Sequence, residues 1–534
     1  MAERLDVERS WRGGWYEPLL AVVPLDQQAA NHARLVMLVT LGVGLVAAFL
    51  VVIGCLRRST RLQDFLRDHL APRIVPIVTV VGIIIAVMIC GRFASRPSRD
   101  SRLPSRASSA ATSPNLAPAP RTAAADQSTA AADPSTAVAT DHAWTMERGG
   151  WQRLGVSELT SSGPSSRGPS SRGPSSGQRR WQRWQDEEAF YSSPTLVGDR
   201  LYCVATSGDR ARILCLDAAT GKEHWNAAPS GYQATFSSPV VAGDLLFVGE
   251  GLHRARRARL VAIDLRPDRA GRILWTFPTA GHIECTPTIA HGHVYFAAGD
   301  DGIYCLKIPA LPADPNQVAK PELVFHLPGS QYTDAETSLA VYAGRLYVGL
   351  GVGGHALCIF DAHTGEQLRR VALSLPAFSP PSFDASHIYL GLGDANYANP
   401  AAATRGQLVC LRQKDGVIDW SIDLPGAVLG AVAVEGGELF WGCGDGRIYR
   451  LNLANRRLAD FDTGAPVAAS LAVTRERIYA VNQNGLLFGI DRTSWSPLFR
   501  QVLGEPGAYV SSPAVRGERL FVGTPTAGLI AVGE

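Results

Sequence analysis

The chain has 534 residues, and its 51 lysines and arginines nearly balance its 48 aspartates and glutamates, for a formal net charge of +3. This charge does not indicate nucleic-acid binding, because much of the basic excess lies beside two apolar segments, where anionic lipid is an obvious partner, and in the linker after them. The nine cysteines include no adjacent pair and no Cys-x-x-Cys spacing, which argues against zinc-ribbon or dithiol redox chemistry.

After an N-terminal segment, residues 1–34, two runs are almost wholly apolar and carry no charged side chain: Leu35–Leu56 and Ile74–Gly91. Each is close to the roughly 20 residues that cross a bilayer as a helix. Because the first run begins late and no small-x-small cleavage pattern follows it, two spans are favoured over a cleaved signal peptide. We therefore predict a transmembrane hairpin over residues 35–91, which makes the chain an integral membrane protein in contact with lipid.

The distribution of charge does not show on which side of the membrane the regions flanking the two spans lie. Two spans place both flanking regions on one side, but the loop between the spans and the flank after them each carry five arginines. The positive-inside rule therefore gives opposite answers. Residues 92–180 are rich in Ser, Ala, Pro, Gly and Arg and have too little apolar mass for a core, so we predict a disordered linker.

From residue 181 onward a sequence motif recurs in eight copies. It consists of Ser-Ser-Pro, an apolar run, Gly-Asp, an aromatic segment, and Leu-Asp-x-x-Thr-Gly-Lys followed by Trp. The period of roughly 40–50 residues is typical of propeller blades. The apolar segments are short, β-branched or aromatic, and bounded by turn residues, so they predict strands. We predict an all-β, eight-bladed β-propeller of four-stranded antiparallel blades over residues 181–534. Its outermost strands carry Trp225, Trp275 and Trp420.

The eighth copy ends at Glu534 without a fourth strand. The segment Trp181-Gln182-Arg183-Trp184-Gln185 precedes the first Ser-Ser-Pro at the spacing that Trp225 holds before the second. We predict that this segment, with Trp184 as a blade residue, completes the last blade and closes the ring. The glycines of two Thr-Gly turns, Gly221 and Gly365, are also predicted to build the blades.

The Ser-Ser-Pro opening, the Leu-Asp-Ala-Ala-Thr-Gly-Lys turn at 216–222 and the following Trp resemble the pyrroloquinoline-quinone (PQQ) type β-propeller repeat. That repeat is found in quinoprotein dehydrogenases and in BamB, a non-catalytic lipoprotein of the outer-membrane barrel-assembly machine. The resemblance covers about residues 181–534 and implies an extracytoplasmic propeller, since these propellers are mostly periplasmic. The two predicted spans depart from BamB, which is lipid-anchored.

If the chain were an enzyme, its resemblance to the dehydrogenases would imply a PQQ site. In such a site PQQ is held by a disulfide between adjacent cysteines, a stacking Trp and a calcium ion, and an Asp acts as the base. This chain has no adjacent cysteines, and its blades lack the long insertions that build the dehydrogenase pocket. No catalytic, cofactor-binding or metal-binding residue is therefore predicted. PQQ and calcium enter only with the alternative of a quinoprotein oxidoreductase.

Residues that recur at one place in several blades are interpreted as structural. Four cysteines share a slot in the third strand and are predicted to be small core residues: Cys215, Cys305, Cys358 and Cys410. Four aspartates follow that strand and are predicted to bond the turn backbone: Asp217, Asp264, Asp361 and Asp491. The histidines, including His253 and His282, are scattered over loops and strand ends and predict no site.

The links between the second and third strands emerge on one face of a propeller. In blades one, two, four and five they are predicted to be long, at 206–212, 250–259, 350–355 and 393–406. Loops on a rigid scaffold are frequent binding sites, so we predict a rim that binds an acidic partner, either an envelope protein or an anionic glycan. Its candidate residues are Arg210, Arg212, Arg254, Arg256, Arg257, Arg259, Asn396, Tyr397, Asn399 and Arg405.

These features favour a membrane-tethered, non-catalytic propeller that acts as a protein-interaction or envelope-assembly scaffold. Two alternatives stay open. One is the PQQ- and calcium-dependent quinoprotein oxidoreductase, and the other is the ligand-sensing head of a membrane signalling complex.

Overall fold

The structure, a computed structural model, describes residues 172–253, 255–312, 314, 317, 319–394 and 405–534. The predicted transmembrane hairpin and most of the predicted linker lie outside these residues. Within the described part, no helix combines the length and the apolar character that a bilayer crossing requires.

The described residues form eight four-stranded antiparallel sheets, as the eight repeats predicted. In seven blades the strands follow one another in sequence from the inner to the outer edge. Blade one consists of β2 (Thr195–Val197), β3 (Arg200–Ser207), β4 (Arg210–Asp217) and β5 (Glu223–Ala227). Blade two consists of β6 (Val240–Ala242), β7 (Leu245–Val248), β8 (Ala258–Asp264) and β9 (Arg272–Thr279).

Blades three to five continue this pattern. Blade three consists of β10 (Thr288–Ala290), β11 (His293–Ala297), β12 (Gly302–Lys307) and β13 (Glu322–Pro328). Blade four consists of β14 (Ala340–Tyr342), β15 (Arg345–Leu350), β16 (Ala356–Asp361) and β17 (Gln367–Ala372). Blade five consists of β18 (Ser382–Phe383), β19 (His387–Gly393), β20 (Gly406–Arg412) and β21 (Ile418–Leu424).

Blade six consists of β22 (Ala433–Glu435), β23 (Glu438–Gly442), β24 (Arg447–Asn452) and β25 (Leu458–Asp462). Blade seven consists of β26 (Ala472–Val473), β27 (Arg477–Val481), β28 (Leu486–Asp491) and β29 (Ser496–Val502). Blade eight takes β30 (Ala514–Arg516), β31 (Arg519–Gly523) and β32 (Leu529–Gly533) from the C-terminal end and β1 (Arg179–Arg183) from the other end of the domain.

The ring is therefore closed by both ends of the domain, as predicted. Strand β1 pairs antiparallel with β32, and Trp181 lies opposite Ala531. The inner strand β2 contacts both β6 and β30, which places blade eight beside blade one. The tryptophan inside the closing strand is Trp181, whereas Trp184 follows the strand with a φ of 56°.

Aromatic residues of the outer strands pack against glycine turns of the next blade. Trp181 lies so close to Gly221 that a Cβ there would come within 2.8 Å of its ring, and its indole N–H donates to the Ala218 carbonyl at 3.1 Å. Phe325 packs on Gly365 in the same way. Both glycines have a positive φ, 67° and 73°, so these turns need glycine for conformation and for space.

The Ser-Ser-Pro motif links neighbouring blades around the axis. Its second hydroxyl accepts a hydrogen bond from the backbone N–H at the same position of the preceding blade, as Ser193 Oγ does from Ser512 at 2.9 Å. Six such bonds join described blades. The series stops at Pro380, which has neither a hydroxyl nor an N–H. The repeat thus helps to close the ring, since six of the eight blades satisfy a buried donor of the preceding blade.

The recurring cysteines lie in the core, and the recurring aspartates bond nearby groups of their turns. The four third-strand cysteines are buried and free. Asp217, Asp361 and Asp491 each accept a hydrogen bond from a backbone N–H three residues further on, at 2.7–2.8 Å. Asp264 accepts from the backbone and the guanidinium of Arg266 instead.

The last described residues of the predicted linker contact the propeller. Residues 172–178 lie against blades seven and eight: Tyr479 Oη donates to the Pro174 carbonyl at 2.7 Å, and the Gly533 amide donates to Gln178. These contacts are made by the backbone of a Ser-, Gly- and Pro-rich segment. Composition reports only on side chains, so it could not reveal them.

Candidate functional site

One face of the disc carries both the links between second and third strands and the links from each blade to the next, because antiparallel strands alternate in direction. We call it the loop face. The blade-two link, residues 249–257, is long as predicted, and so is the blade-five link, of which 395–404 lie outside the described residues. The prediction of a long link in blade one is wrong. Strands β3 and β4 extend to Ser207 and Arg210 and leave only a tight turn.

An axial pocket of about 120 Å³ is lined by residues of the loop-face links. In seven of the eight blades the residue immediately before the Ser-Ser-Pro motif lines it. In most blades this residue is apolar: Tyr191, Phe236, Phe378, Ala468 and Val510 line the pocket. Hydroxyls of the motif itself, including Ser193 and Ser238, complete the wall.

Two blades break this apolar rule. In blades three and four the residue before the motif is Glu284 and Glu336, and both carboxylates line the pocket. Two residues earlier in the same links stand His282 and Asp334. Blades three and four thus place a cluster of ionisable groups on one side of a pocket that is otherwise lined by apolar side chains and hydroxyls. This substitution pattern is visible in an alignment of the repeats, and it is the signal that the sequence interpretation missed.

His253, from the blade-two link, joins this cluster. Its Nδ1 lies 2.6 Å from Glu336 Oε1, and His282 Nε2 lies 2.9 Å from the same oxygen. The two imidazole rings are 5.3 Å apart. The ring of His282 is buried against Gly299, where a Cβ would come within 2.5 Å of it. Two histidines that the sequence left unassigned therefore converge on one carboxylate oxygen.

Protonation at this cluster is shaped by burial and by crowded carboxylates. Burial and the charge of Glu336 raise the pKa of Glu284 to about 7, against the opposing effect of the two histidines. Burial and Glu336 also raise the pKa of Asp334. Burial alone would lower the pKa of His282, but its hydrogen bond with Glu336 and the nearby carboxylates outweigh this and raise it. The carboxylates thus favour a positive charge at their centre.

Three of the predicted rim arginines are paired with carboxylates of the chain. Arg212 contacts Glu188 at 2.7 Å, and Arg259 contacts the fully buried Glu250 at 2.5 Å. Arg405 lies 3.5 Å from Asp394. Arg212 lies in β4, Arg259 lies in β8 and Arg405 directly precedes β20, so these pairs hold the strand ends next to the links.

The remaining rim residues divide into two groups. Arg210, Arg256 and Arg257 are exposed on the loop face. The others lie outside the described residues: Arg254, Asn396, Tyr397 and Asn399. The exposed basic character of the described rim is therefore concentrated in the blade-two link, close to His253.

PQQ with calcium does not fit the described pocket. Its volume of about 120 Å³ lies below the roughly 300 Å³ at which sites for drug-sized ligands begin. Calcium prefers oxygen ligands, whereas two of the three clustered donors are imidazoles. No tryptophan is among the described lining residues. No redox step follows from these residues.

Comparison with known proteins agrees with the fold. The family model of the outer membrane protein assembly factor BamB matches residues 170–266 and 399–459. Sqt1 from Saccharomyces cerevisiae superposes with a TM-score of 0.51 at 12% identity, over 66% of this chain and 97% of that one. No curated protein sequence matches.

Two further solved structures have lower scores. BamB from Moraxella catarrhalis has a TM-score of 0.48 at 13% identity, over 66% of this chain and 99% of that one. A europium-containing methanol dehydrogenase has a TM-score of 0.42 at 12% identity, over 64% and 90%. Likeness at such identities concerns the fold alone. The described part of this chain is an eight-bladed β-propeller, and two stretches of the chain match the BamB family model.

Proposed function

We propose that this protein is a membrane-tethered, non-catalytic propeller that binds an envelope partner at its loop face and serves as a scaffold. The observation that carries the proposal is the asymmetry of the disc. One face holds the blade-two and blade-five links, the link residues that line the axial pocket, and the exposed side chains of Arg210, Arg256 and Arg257. A rigid scaffold with built-up loops on one face is suited to partner binding.

Apolar groups at this face add contact surface. Tyr191 and Phe236 pack edge to face, 5.7 Å apart, and both are only half-buried at the pocket. Val352, on the blade-four link, is 63% exposed. Aromatic anchors in a pocket with charged groups around it are the usual arrangement of a binding hot spot.

The exposed charge favours an acidic partner. Arg256 and Arg257 project from the blade-two link and, among the described residues, have no carboxylate partner of the kind found for Arg212 and Arg259. The family model that matches is named for an assembly factor of outer membrane proteins, which supports an envelope protein over a glycan as the partner.

Tethering sets the reach of the head. A disordered linker over residues 92–171 would have a root-mean-square span of about 50 Å. Such a flexible linker would keep the propeller at a high local concentration near the membrane without fixing its orientation. We assign the propeller to the extracytoplasmic side.

Photocrosslinking in intact cells tests the binding face. A photoreactive residue at Val352 of the full-length chain is expected to give discrete protein adducts, which decrease when Arg256 and Arg257 are changed to Ala. The matched control is Leu458, an aliphatic residue that is 42% exposed on the outer strand β25. Identical adducts from both positions, or adducts that persist unchanged in the double arginine variant, would contradict the proposal.

Protease accessibility tests the proposed side of the membrane. Protease added to spheroplasts is expected to cut within residues 92–171 and release a propeller fragment that resists further digestion, because its backbone donors are paired. A cytoplasmic protein serves as the control for lysis. Protection of the chain in spheroplasts, followed by cleavage after lysis, would place the propeller in the cytoplasm.

A further inference from the structure

Three ligand atoms converge on the axial pocket from three separate links of the ring. They belong to His253, His282 and Glu336, and all of them lie within 4.8 Å of one another. We propose that these residues bind a divalent first-row transition metal ion, for which Zn²⁺ is the best match. The proposal goes beyond partner binding and does not depend on it.

The donor set decides the class of ion. Two imidazole nitrogens and a carboxylate oxygen suit zinc and its neighbours, whereas magnesium and calcium prefer oxygen alone. Tetrahedral zinc with bonds of about 2.0–2.2 Å places its donors about 3.3 Å apart. The histidine nitrogens lie 2.6 and 2.9 Å from Glu336 Oε1, so an ion needs to move each nitrogen away from that oxygen by less than about 1 Å. His253 is 70% exposed and is free to make that movement.

Glu284 gives an independent indication of a cation. Its Oε1 is completely buried and has no hydrogen-bond partner among the described residues, and the side chain lines the same pocket. A buried carboxylate oxygen without a donor is costly. The second carboxylate, Glu336, adds to that cost by repulsion. A divalent ion would offset both charges at once.

The surroundings of the cluster orient its donors. Asp334 shares a hydrogen bond with Glu336 and accepts one from the Val352 amide. Gly299 leaves the space in which the His282 ring is buried. Hydrogen-bonded carboxylate ligands and confined imidazoles are the usual outer-shell support of protein metal sites.

The site would keep an open coordination position. Three protein ligands leave a tetrahedral ion one further position. Since His253, Glu284 and Glu336 all line the axial pocket, that position faces the pocket and its aromatic residues. Water or a donor group of a bound molecule would occupy it, with Glu284 within reach as a hydrogen-bond acceptor.

Zinc binding to the full-length purified chain tests the proposal directly. After stripping with a chelator, titration with Zn²⁺ alone is expected to show one site that is lost or weakened at least about 100-fold in H253N and in E336Q. E284Q is expected to weaken binding by about 10-fold. Cobalt in place of zinc should give the visible absorption of a four-coordinate ion in the wild type and not in E336Q.

A second histidine group provides the matched control. His291 and His363 stack 5.6 Å apart at the turns on the face opposite the loop face, and H363N is expected to bind Zn²⁺ like the wild type. H253N changes an exposed side chain, so its folding should be intact, as circular dichroism can verify. Wild-type zinc affinity in both H253N and E336Q, or displacement of zinc by equimolar Ca²⁺, would overturn the proposal. Adducts at Val352 that persist in H253N would show that partner binding does not depend on the metal site.

Discussion

Replacing Trp181 with alanine is expected to lower the free energy of unfolding by about 3–5 kcal/mol, because a large buried aromatic residue is lost at the closure of the ring. The side chain is only 8% exposed, packs 5.9 Å from the Phe521 ring and covers Gly221 of blade one. Its indole N–H also donates to the Ala218 carbonyl. One residue thus joins the N-terminal strand, the last blade and the first blade.

Trp184 is the matched control for this prediction. It is the same residue type three positions further on, but it is half-buried and lies outside the closing strand. Its contacts are with Phe190 and Arg212. We expect W184A to cost about 1–2 kcal/mol. Denaturant unfolding of the full-length variants, followed by circular dichroism, measures both, and equal losses would show that β1 does not close the ring.

Removing the positive charge of Arg259 is expected to lower the free energy of unfolding by about 3 kcal/mol. This value is at the lower end of the range for a broken buried ion pair, because the arginine side chain is 27% exposed. Its partner Glu250 is completely buried and also accepts the Gln233 amide at 3.0 Å. R259M keeps much of the aliphatic stem but leaves the Glu250 carboxylate without its cation. The cost is that of an unpaired charge in the interior.

Arg257 provides the comparison. It lies at the end of the blade-two link, two residues before Arg259, is exposed, and should tolerate change to Met within about 0.5 kcal/mol. Adding E250Q to R259M is expected to recover part of the lost stability, because a neutral amide needs no counter-charge. Melting curves of the four proteins test this series. Equal stability of R259M and R257M would mean that Arg259 does not stabilise the fold and belongs to the binding surface.

This distinction bears on how the binding rim should be probed. Changing Arg254, Arg256, Arg257 and Arg259 together would confuse loss of a partner with loss of the fold, because one of them holds a buried carboxylate. A change at Arg256 and Arg257 alone probes the surface. The sequence presented these arginines as one basic run, and only the position of Glu250 separates them.

The repeats determined the architecture because each blade is built from local hairpins whose turn residues and apolar periods recur in the chain. Blade number, strand order and the donation of an N-terminal strand all followed from counting complete and incomplete copies. Errors arose where neighbouring positions carry similar residues. Trp181 and Trp184 lie close together in sequence, but only Trp181 lies in the closing strand. The polar residues around Ser207 form the ends of two strands, although their composition indicated a loop.

The contacts on which the proposed metal site rests were decided by tertiary structure. His253 and Glu336 are 83 residues apart and lie in links of different blades, so no local pattern joins them. The curvature of the ring brings these links to one pocket, where a position that is apolar in most blades holds Glu284 and Glu336. Sequence alone established the repeating frame, since short-range pairing specifies it. The cluster at the axis exists only because closure of that frame places distant, individually unremarkable side chains within a few ångströms of each other.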